Sequence, residues 1–193
     1  MGMKVKKYIK TFMSMAHSIS THSTANNCKV GSLLLDPTGT RVLCMGYNGT
    51  VSGTDNSCED KGWICKECRW KSFTPDKPDE CSHCGSTNLE GRMITRPTVV
   101  HAEQNVICFC AKNGIATEDC ILVVTHSPCS ECAKLIAQAG VKTVIYETLY
   151  KNDDKGISFL NKCGVKCYAL SQVELEEIQF NNKENNKEVD SCR

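Results

Sequence analysis

Apolar residues recur at intervals of three and four near the start of the chain, at Val5, Tyr8, Ile9, Phe12, Met13, Ala16 and Ile19. That spacing predicts an amphipathic first helix. The segment KVGSLLLDPTGTRVLCMGYN holds two strand-like runs around a Pro-Thr-Gly turn and predicts a hairpin. A polar stretch over residues 49–97 follows, with most of the prolines and four clustered cysteines. From residue 101 the pattern alternates. A helix is predicted over 101–112 with Asn113-Gly114 as its stop, then strand ILVVT and a helix over 129–139 stopped by Gly140. Strand KTVIYE, a short helix ending near Cys163-Gly164, strand VKCYAL and a last helix from Ser171 complete the series. Alternating strands and helices predict a mixed sheet flanked by helices. The final NNKENNKEVDSCR is too polar to bury anything and reads as a disordered tail over 181–193.

Composition changes this picture at one point. With 193 residues, 40% hydrophobic and 23% charged, the chain is ordinary globular material with room for one domain and a small insert. Its net charge of +1 gives no global field to attract nucleic acid. No apolar run is long enough to span a membrane, and the N-terminal segment lacks the apolar block of a signal peptide. A cytoplasmic protein is therefore expected. Fifteen cysteines stand out. An odd number without an export signal favours a reducing compartment and thiolates used as metal ligands. Cys44, Cys108, Cys110 and Cys163 read as plain buried apolar residues.

The chemistry gathers at two motifs. In VVHAEQNVI, His101 and Glu103 stand two residues apart in an apolar stretch, a spacing that does not share a helix face. In HSPCSEC, Cys129 and Cys132 form a Cys-x-x-Cys pair behind Pro128, which can open a helix. A thiolate in a first helical turn is stabilised by free N–H groups and suits a metal. Two thiolates and one imidazole leave the fourth position of a tetrahedral zinc open to water, the mark of a catalytic site. Glu103, pointing away from His101, need not be a ligand and can serve as the proton carrier. Taken singly, His101 reads as a core histidine and the cysteines as a redox or structural pair. Jointly, His-x-Glu followed by Pro-Cys-x-x-Cys is the signature of zinc deaminases.

The stretches HAEQNVICFCAKNG and HSPCSECAKLIAQAGVKTVIY resemble the cytidine deaminase superfamily, most closely its deoxycytidylate (dCMP) deaminase branch. CMGYNGTVSGTDNSCED strengthens the likeness, which covers about residues 5–62 and 98–170, and departs at Val51, where the branch usually carries Pro. The resemblance implies a three-layer α/β/α fold with a five-stranded mixed sheet over residues 1–180. It implies hydrolytic attack on C4 of dCMP, giving dUMP for thymidylate synthesis and ammonia, with Glu103 protonating N3 and then serving the departing amino group. Asn48 is expected at the sugar, main chain around Ala102 and Ser127 at the pyrimidine edge, and Tyr150 beside the nucleotide. It further implies a homohexamer activated by dCTP and inhibited by dTTP. The loop with Gly46, Tyr47, Asn48 and Gly49 is expected to hold the effector, with Asp55, Glu59 and Asp60 holding Mg²⁺ beside its phosphates.

A second cluster needs its own account. Cys65 and Cys68, with Cys81 and Cys84, are two Cys-x-x-Cys pairs at close to zinc-ribbon spacing. Four thiolates close a tetrahedral shell, so a structural zinc is expected in an insert over 62–90, making two zinc ions per chain. His83 competes with Cys84 as a ligand. Two other readings remain open. Lys66, Arg69, Lys71 and Lys77 with Trp63, Trp70 and Phe73 offer charge and stacking surfaces for a deaminase acting on tRNA or single-stranded DNA, although Glu67, Asp76, Asp79 and Glu80 dilute that charge. A non-enzymatic zinc scaffold is the third, and Glu103 beside His101 speaks against it.

Overall fold

Residues 3–173 of the chain are described by a computed structural model. In order they form α1 (Met3–Ser20), β1 (Gly31–Leu35), β2 (Val42–Tyr47), β3 (Glu59–Cys65), β4 (Lys71–Ser72), β5 (Leu89–Thr95) and α2 (Ala102–Asn113). After these come β6 (Ile121–His126), α3 (Ser130–Gln138), β7 (Thr143–Thr148), α4 (Lys155–Lys162) and β8 (Lys166–Ala169). Strands β2-β1-β6-β7-β8 make one sheet. The β1–β2 and β1–β6 pairs are antiparallel and the β6–β7 and β7–β8 pairs parallel, so the sheet is mixed.

Alternation along the strands decides the layering, because successive side chains leave a strand on opposite faces. Leu34, Leu122, Val124 and Val144 point to one face. There they pack with Val106 and Cys110 of α2, Cys132, Ala133 and Ile136 of α3, and Leu160 of α4. Leu33, Leu35, Ile121, Val123 and Ile145 point to the other face, where Ile9, Phe12, Met13 and Ala16 of α1 cover them together with Val173. The expected three-layer α/β/α arrangement with a five-stranded mixed sheet is therefore the one observed. Burying each such Leu, Ile or Val side chain contributes roughly 1.5–3 kcal/mol, and both faces are held this way.

The polar stretch over 49–97 is more ordered than its composition predicts. Its strands form a second sheet in the order β4-β3-β5, with Glu59 opposite Thr95 and Cys65 opposite Leu89. The reading over 62–90 thus falls within an antiparallel ribbon that begins at Glu59. Two further corrections concern cysteines: Cys44 and Cys110 are buried, but Cys108 and Cys163 are exposed. Both sit on the outer sides of their helical segments, where size and polarity alone do not distinguish a buried thiol. The predicted helix stop is met by Gly114, left-handed at φ 65°. The last predicted helix opens at Leu170 and runs to the end of the described residues, and the tail over 181–193 lies outside them. Among the described residues no helix is long and apolar enough to cross a membrane.

Candidate active site and metal centres

His101 and Cys129 do not lie inside their helices. Each is the extended residue before the first turn: His101 at φ −73°, ψ 159° caps α2, and Cys129 at φ −70°, ψ 170° caps α3. The His101 N–H donates to Gln104 Oε1 at 2.8 Å, which fixes the entry into α2. Glu103 and Cys132 then fall within the first turns, at 4% and 0% exposure. Pro128 stands outside α3, one residue ahead of its Cys129 cap. Gly156 of α4 packs on this cap, and a Cβ there would collide with the Pro128 carbonyl.

The two helix starts bring His101, Cys129 and Cys132 together. His101 Nδ1 is 3.6 Å from Cys129 Sγ and 3.3 Å from Cys132 Sγ, and the three ligand atoms lie within 4.8 Å of one another. A tetrahedral zinc with ordinary bond lengths needs N–S and S–S edges of about 3.5 and 3.8 Å, so the donor set fits the ion. The Cys129 thiol is pulled down to about 3, first by the hydrogen bond from Cys132 and then by His101. The Cys132 thiol is pushed up by that same partner and by burial. Burial raises the Glu103 carboxyl to about 7, against the opposing charge of His101.

His101, Glu103 and Cys129 line a cleft of about 60 Å³, walled by Asn48, Ala102, Ser127 and Tyr150 among others. Its predicted members are held in distinct ways. Asn48 accepts from the Val30 N–H at 2.8 Å and donates to the Cys28 carbonyl at 2.8 Å, so its amide anchors that segment to the cleft wall. Ser127 Oγ accepts from the Tyr150 N–H at 2.9 Å, which sets the tyrosine at the rim. Gly49 and Val100 exchange backbone hydrogen bonds of 3.0 and 2.8 Å, tying the Gly46–Gly49 region to the residue before His101.

Several cleft residues were not anticipated. Cys28 and His126 line it, with Sγ and Nε2 3.8 Å apart. Glu59 also lines it at 3% exposure and accepts from the Asn26 and Asn27 N–H groups at 3.1 and 3.2 Å. This corrects the expected Mg²⁺ cluster. Glu59 turns into the substrate cleft, while Arg96 clamps Asp55 and Asp60 at 2.7 Å each, so the three carboxylates do not converge. No local pattern marks Glu59, whose partners lie over thirty residues away in sequence. The other loop residues, Gly46, Tyr47 and Gly49, line a second cleft on the far side of the same loop, with His22, Asn105 and Lys112.

Cys65, Cys68, Cys81 and Cys84 also converge, with Cys65–Cys84 and Cys68–Cys81 sulfurs each 3.6 Å apart. These edges fit a closed tetrahedral thiolate site as well. Each pair ends in a left-handed residue, Arg69 at φ 63° and Gly85 at φ 72°, whose N–H returns to the carbonyl of the first cysteine. His83 stacks on Trp70 with ring centroids 5.3 Å apart and stands outside the ligand set.

A three-layer α/β/α sheet that sets His-x-Glu and Pro-Cys-x-x-Cys at adjacent helix starts defines a zinc-dependent deaminase. The model of the cytidine and deoxycytidylate deaminase zinc-binding region matches residues 6–148, and the chain belongs to this family. The deoxycytidylate deaminase of Enterobacteria phage T4 is 32% identical over 185 residues, 89% of this chain and 94% of that protein. ComE operon protein 2 of Bacillus subtilis (strain 168) is 31% identical over 167 residues, 86% of this chain and 71% of that one. The crystal structure of dCMP deaminase from the cyanophage S-TIM5 in complex with dCMP and dUMP superposes with a TM-score of 0.63 at 32% identity. It covers 85% of this chain and 97% of that one.

Proposed function

We propose that the chain hydrolyses dCMP to dUMP and ammonia, in the cytoplasm, as a supply of dUMP for thymidylate synthesis. The observation that carries this reading is the buried Glu103 carboxyl beside the convergent His101, Cys129 and Cys132, where two helix starts meet at a cleft. The cyanophage relative, described with dCMP and dUMP, supports the choice of substrate.

His101, Cys129 and Cys132 hold the catalytic zinc, which when bound supplies Lewis acidity to water. Glu103 does the proton work. Burial holds its carboxyl near neutrality, so it can take up a proton and release one at the same pH. It delivers a proton to N3 of the cytosine and then serves the departing amino group. Ala102 and Ser127 present main chain to the pyrimidine edge, Asn48 fixes the wall against the sugar, and Tyr150 closes the rim. Cys65, Cys68, Cys81 and Cys84 hold a second, structural zinc, giving two per chain.

We also infer regulation by dCTP and dTTP in a homohexamer. Support comes from the second cleft behind Gly46, Tyr47 and Gly49, and from Asn105, whose Nδ2 donates to the Tyr47 carbonyl at 2.7 Å. Asn105 lies on α2, the helix that carries Glu103, so the loop and the site share one element. Because Asp55, Glu59 and Asp60 do not converge, Mg²⁺ enters on the triphosphate of the effector. An ultraviolet assay of purified protein against dCMP, deoxycytidine, CMP and dCTP tests the reading. Turnover of dCMP is expected, and its absence overturns the proposal.

A further inference from the structure

The small sheet has two unlike faces. In the β3–β5 pairing Lys61 stands opposite Met93 and Trp63 opposite Gly91, while Asp60 stands opposite Ile94 and Ile64 opposite Glu90. Opposite residues of an antiparallel pair share a face and successive residues alternate. One face is closed by Ile64 and Ile94, at 7% and 2% exposure. The other carries Lys61, Trp63, Gly91 and Met93, and Met93 is 44% exposed. The Trp63 ring lies over Gly91, where a Cβ would meet it at 3.0 Å. Together with Pro75 and Arg92 these residues border a groove of about 350 Å³, which shares no lining residue with the catalytic cleft.

A second tryptophan extends the open face. Trp63 pairs with Ser72 and Ile64 with Lys71, and the Cys65 N–H donates to the Trp70 carbonyl at 2.9 Å, which carries the pairing one residue further. Trp70 therefore falls on the side of Ser72, as a diagonal neighbour of Trp63. It stacks on His83 at an interplanar angle of 14° and is still 49% exposed, so part of its ring remains open to solvent. The charged residues that border the groove, Lys61 and Arg92, are both cations, and no carboxylate borders it. Among the described residues neither cation has a carboxylate partner, because Asp60 is held by Arg96 and Glu90 by Lys66. Asp76, Asp79 and Glu80, which follow Pro75 in the chain, lie outside the lining.

We propose that this groove binds single-stranded nucleic acid, with bases stacked on Trp63 and Trp70 and the adjoining phosphates held by Lys61 and Arg92. Every base has a flat face that an aromatic ring can take, and cations beside the ring follow the backbone, so such a surface binds a strand without reading its sequence. The ribbon then does more than hold its own loop: it tethers the chain to nucleic acid while the separate cleft acts on free nucleotides. A purely structural account has Trp63 filling the space that the missing side chain of Gly91 leaves. That explains one contact, but neither the exposure of Trp70 and Met93 beside it nor a border whose charges are all positive. A proline-rich peptide is the other ligand that aromatic grooves take, and it has no use for two unpaired cations.

The test titrates the full chain with an oligothymidylate of about twelve nucleotides and follows tryptophan emission. That signal comes from this face alone, because Trp63 and Trp70 are the chain's two tryptophans. Emission should fall and saturate with a Kd of about 10⁻⁴–10⁻⁶ M, with dUMP added to fill the catalytic cleft, and a duplex of the same length should leave it unchanged. Anisotropy of a labelled strand reads the variants. W70A should bind at least about five-fold more weakly, and W70F, which keeps a stacking ring, should recover most of that loss. K61Q/R92Q should reduce the slope of log affinity against log salt by about 1.4, at about 0.7 for each phosphate of a single strand. Zinc content and melting temperature are measured throughout, and K61Q/R92Q, which leaves both tryptophans in place, decides the matter if W70A loses zinc. Emission unmoved across that concentration range overturns the proposal, as does binding that dUMP abolishes or a salt slope that K61Q/R92Q leaves unchanged. A proline-rich peptide that quenches where the strand does not overturns it in favour of a protein partner. The KM for dCMP should be the same in K61Q/R92Q as in wild type, and a raised value assigns the cations to the substrate and overturns the groove. A wild type that binds the strand but leaves dCMP untouched sinks the deaminase reading alone.

Discussion

His101 Nδ1 and Cys129 Sγ are 3.6 Å apart although the residues are 28 positions apart in the chain, and each occupies the same place, one residue ahead of a helix. Both helices therefore aim their free N–H groups and positive dipole ends at one point. That convergence, with the hydrogen bonds from Cys132 and His101, favours the Cys129 thiolate. It also explains the two-residue spacing of His101 and Glu103: the histidine precedes the helix and the glutamate is its second residue, so the i, i+2 rule for helix faces does not apply to them.

Glu103→Gln should remove the proton carrier while leaving the ligands in place. Turnover of dCMP is expected to fall about 10²- to 10⁴-fold or more, with zinc content unchanged. His101→Ala, Cys129→Ala and Cys132→Ala should lose metal and activity together. Metal analysis beside an ultraviolet assay separates the two outcomes, and near-normal turnover in Glu103→Gln would be incompatible with the proposed role.

Metal content itself discriminates between the two clusters. Reconstituted wild type should carry two zinc ions per chain. Changing Cys65 and Cys68 together to Ser should leave one, with new protease cleavage between about residues 60 and 95, because binding of a structural zinc is coupled to local folding. One zinc in fully loaded wild type would count against the ribbon site.

Gly156→Ala probes how α4 supports the catalytic cysteines. The new Cβ meets the Pro128 carbonyl directly, and backbone cannot yield as a side-chain tip does. A loss of about 1–3 kcal/mol in stability is expected, as for other overpacked sites, with weaker zinc retention because the displaced segment includes Cys129. Chemical denaturation and competition with a chelator report the two effects. Wild-type values in both would show that the segment shifts freely.

Much of the site was legible because its spacing is local. His-x-Glu and Pro-Cys-x-x-Cys each sit within a single helix start, and the alternation of ILVVT with KTVIYE announced the parallel strands. Both faces of the sheet follow from the same period: Leu122 and Val124 go one way, Ile121 and Val123 the other. What stayed hidden depends on distant pairing. Glu59 reads as one more acid in a polar loop, and only the antiparallel β3–β5 pairing and the N–H groups of Asn26 and Asn27 turn it into the cleft. Arg96 gives no sign in sequence that it holds Asp55 and Asp60, so the carboxylates looked free for a cation. Arg69, left-handed in its knuckle, was equally invisible because glycine is the usual mark of that conformation.

The Arg96 clamp carries a prediction about acid. The Arg96 guanidinium beside Asp55 holds that carboxyl below the usual carboxylate range. A carboxyl lowered in the folded state adds stability above its unfolded pKa of about 3.9 and loses it as pH falls through the folded value. Arg96→Gln should therefore lower the melting temperature at pH 7, and the gap to wild type should narrow below about pH 4. Melting curves from pH 3 to 7 check this. A gap that is constant across the range would mean that the clamp acts by packing and not by charge.

Regulation gives the last prediction. Asn48 turns into the substrate cleft while Gly46, Tyr47 and Gly49 line the cleft behind it, so one short loop borders both. Its two ends are tied to catalytic elements, through Gly49 to Val100 and through Tyr47 to Asn105. A ligand in the rear cleft can then alter the front only if it binds one arrangement of this loop more tightly than another, and two ligands oppose each other only if they prefer different arrangements. dCTP should shift the dCMP saturation curve toward lower concentration and dTTP should reverse that shift, each with Mg²⁺ present. Asn105→Ala, which cuts the Tyr47 tie, should flatten the response to both triphosphates more than it lowers the unregulated rate. Light scattering on the same samples should report a hexamer. Hyperbolic curves indifferent to both triphosphates, from a monomeric protein, would remove the regulatory reading and leave the catalytic one standing, because His101, Cys129, Cys132 and Glu103 all come from one chain.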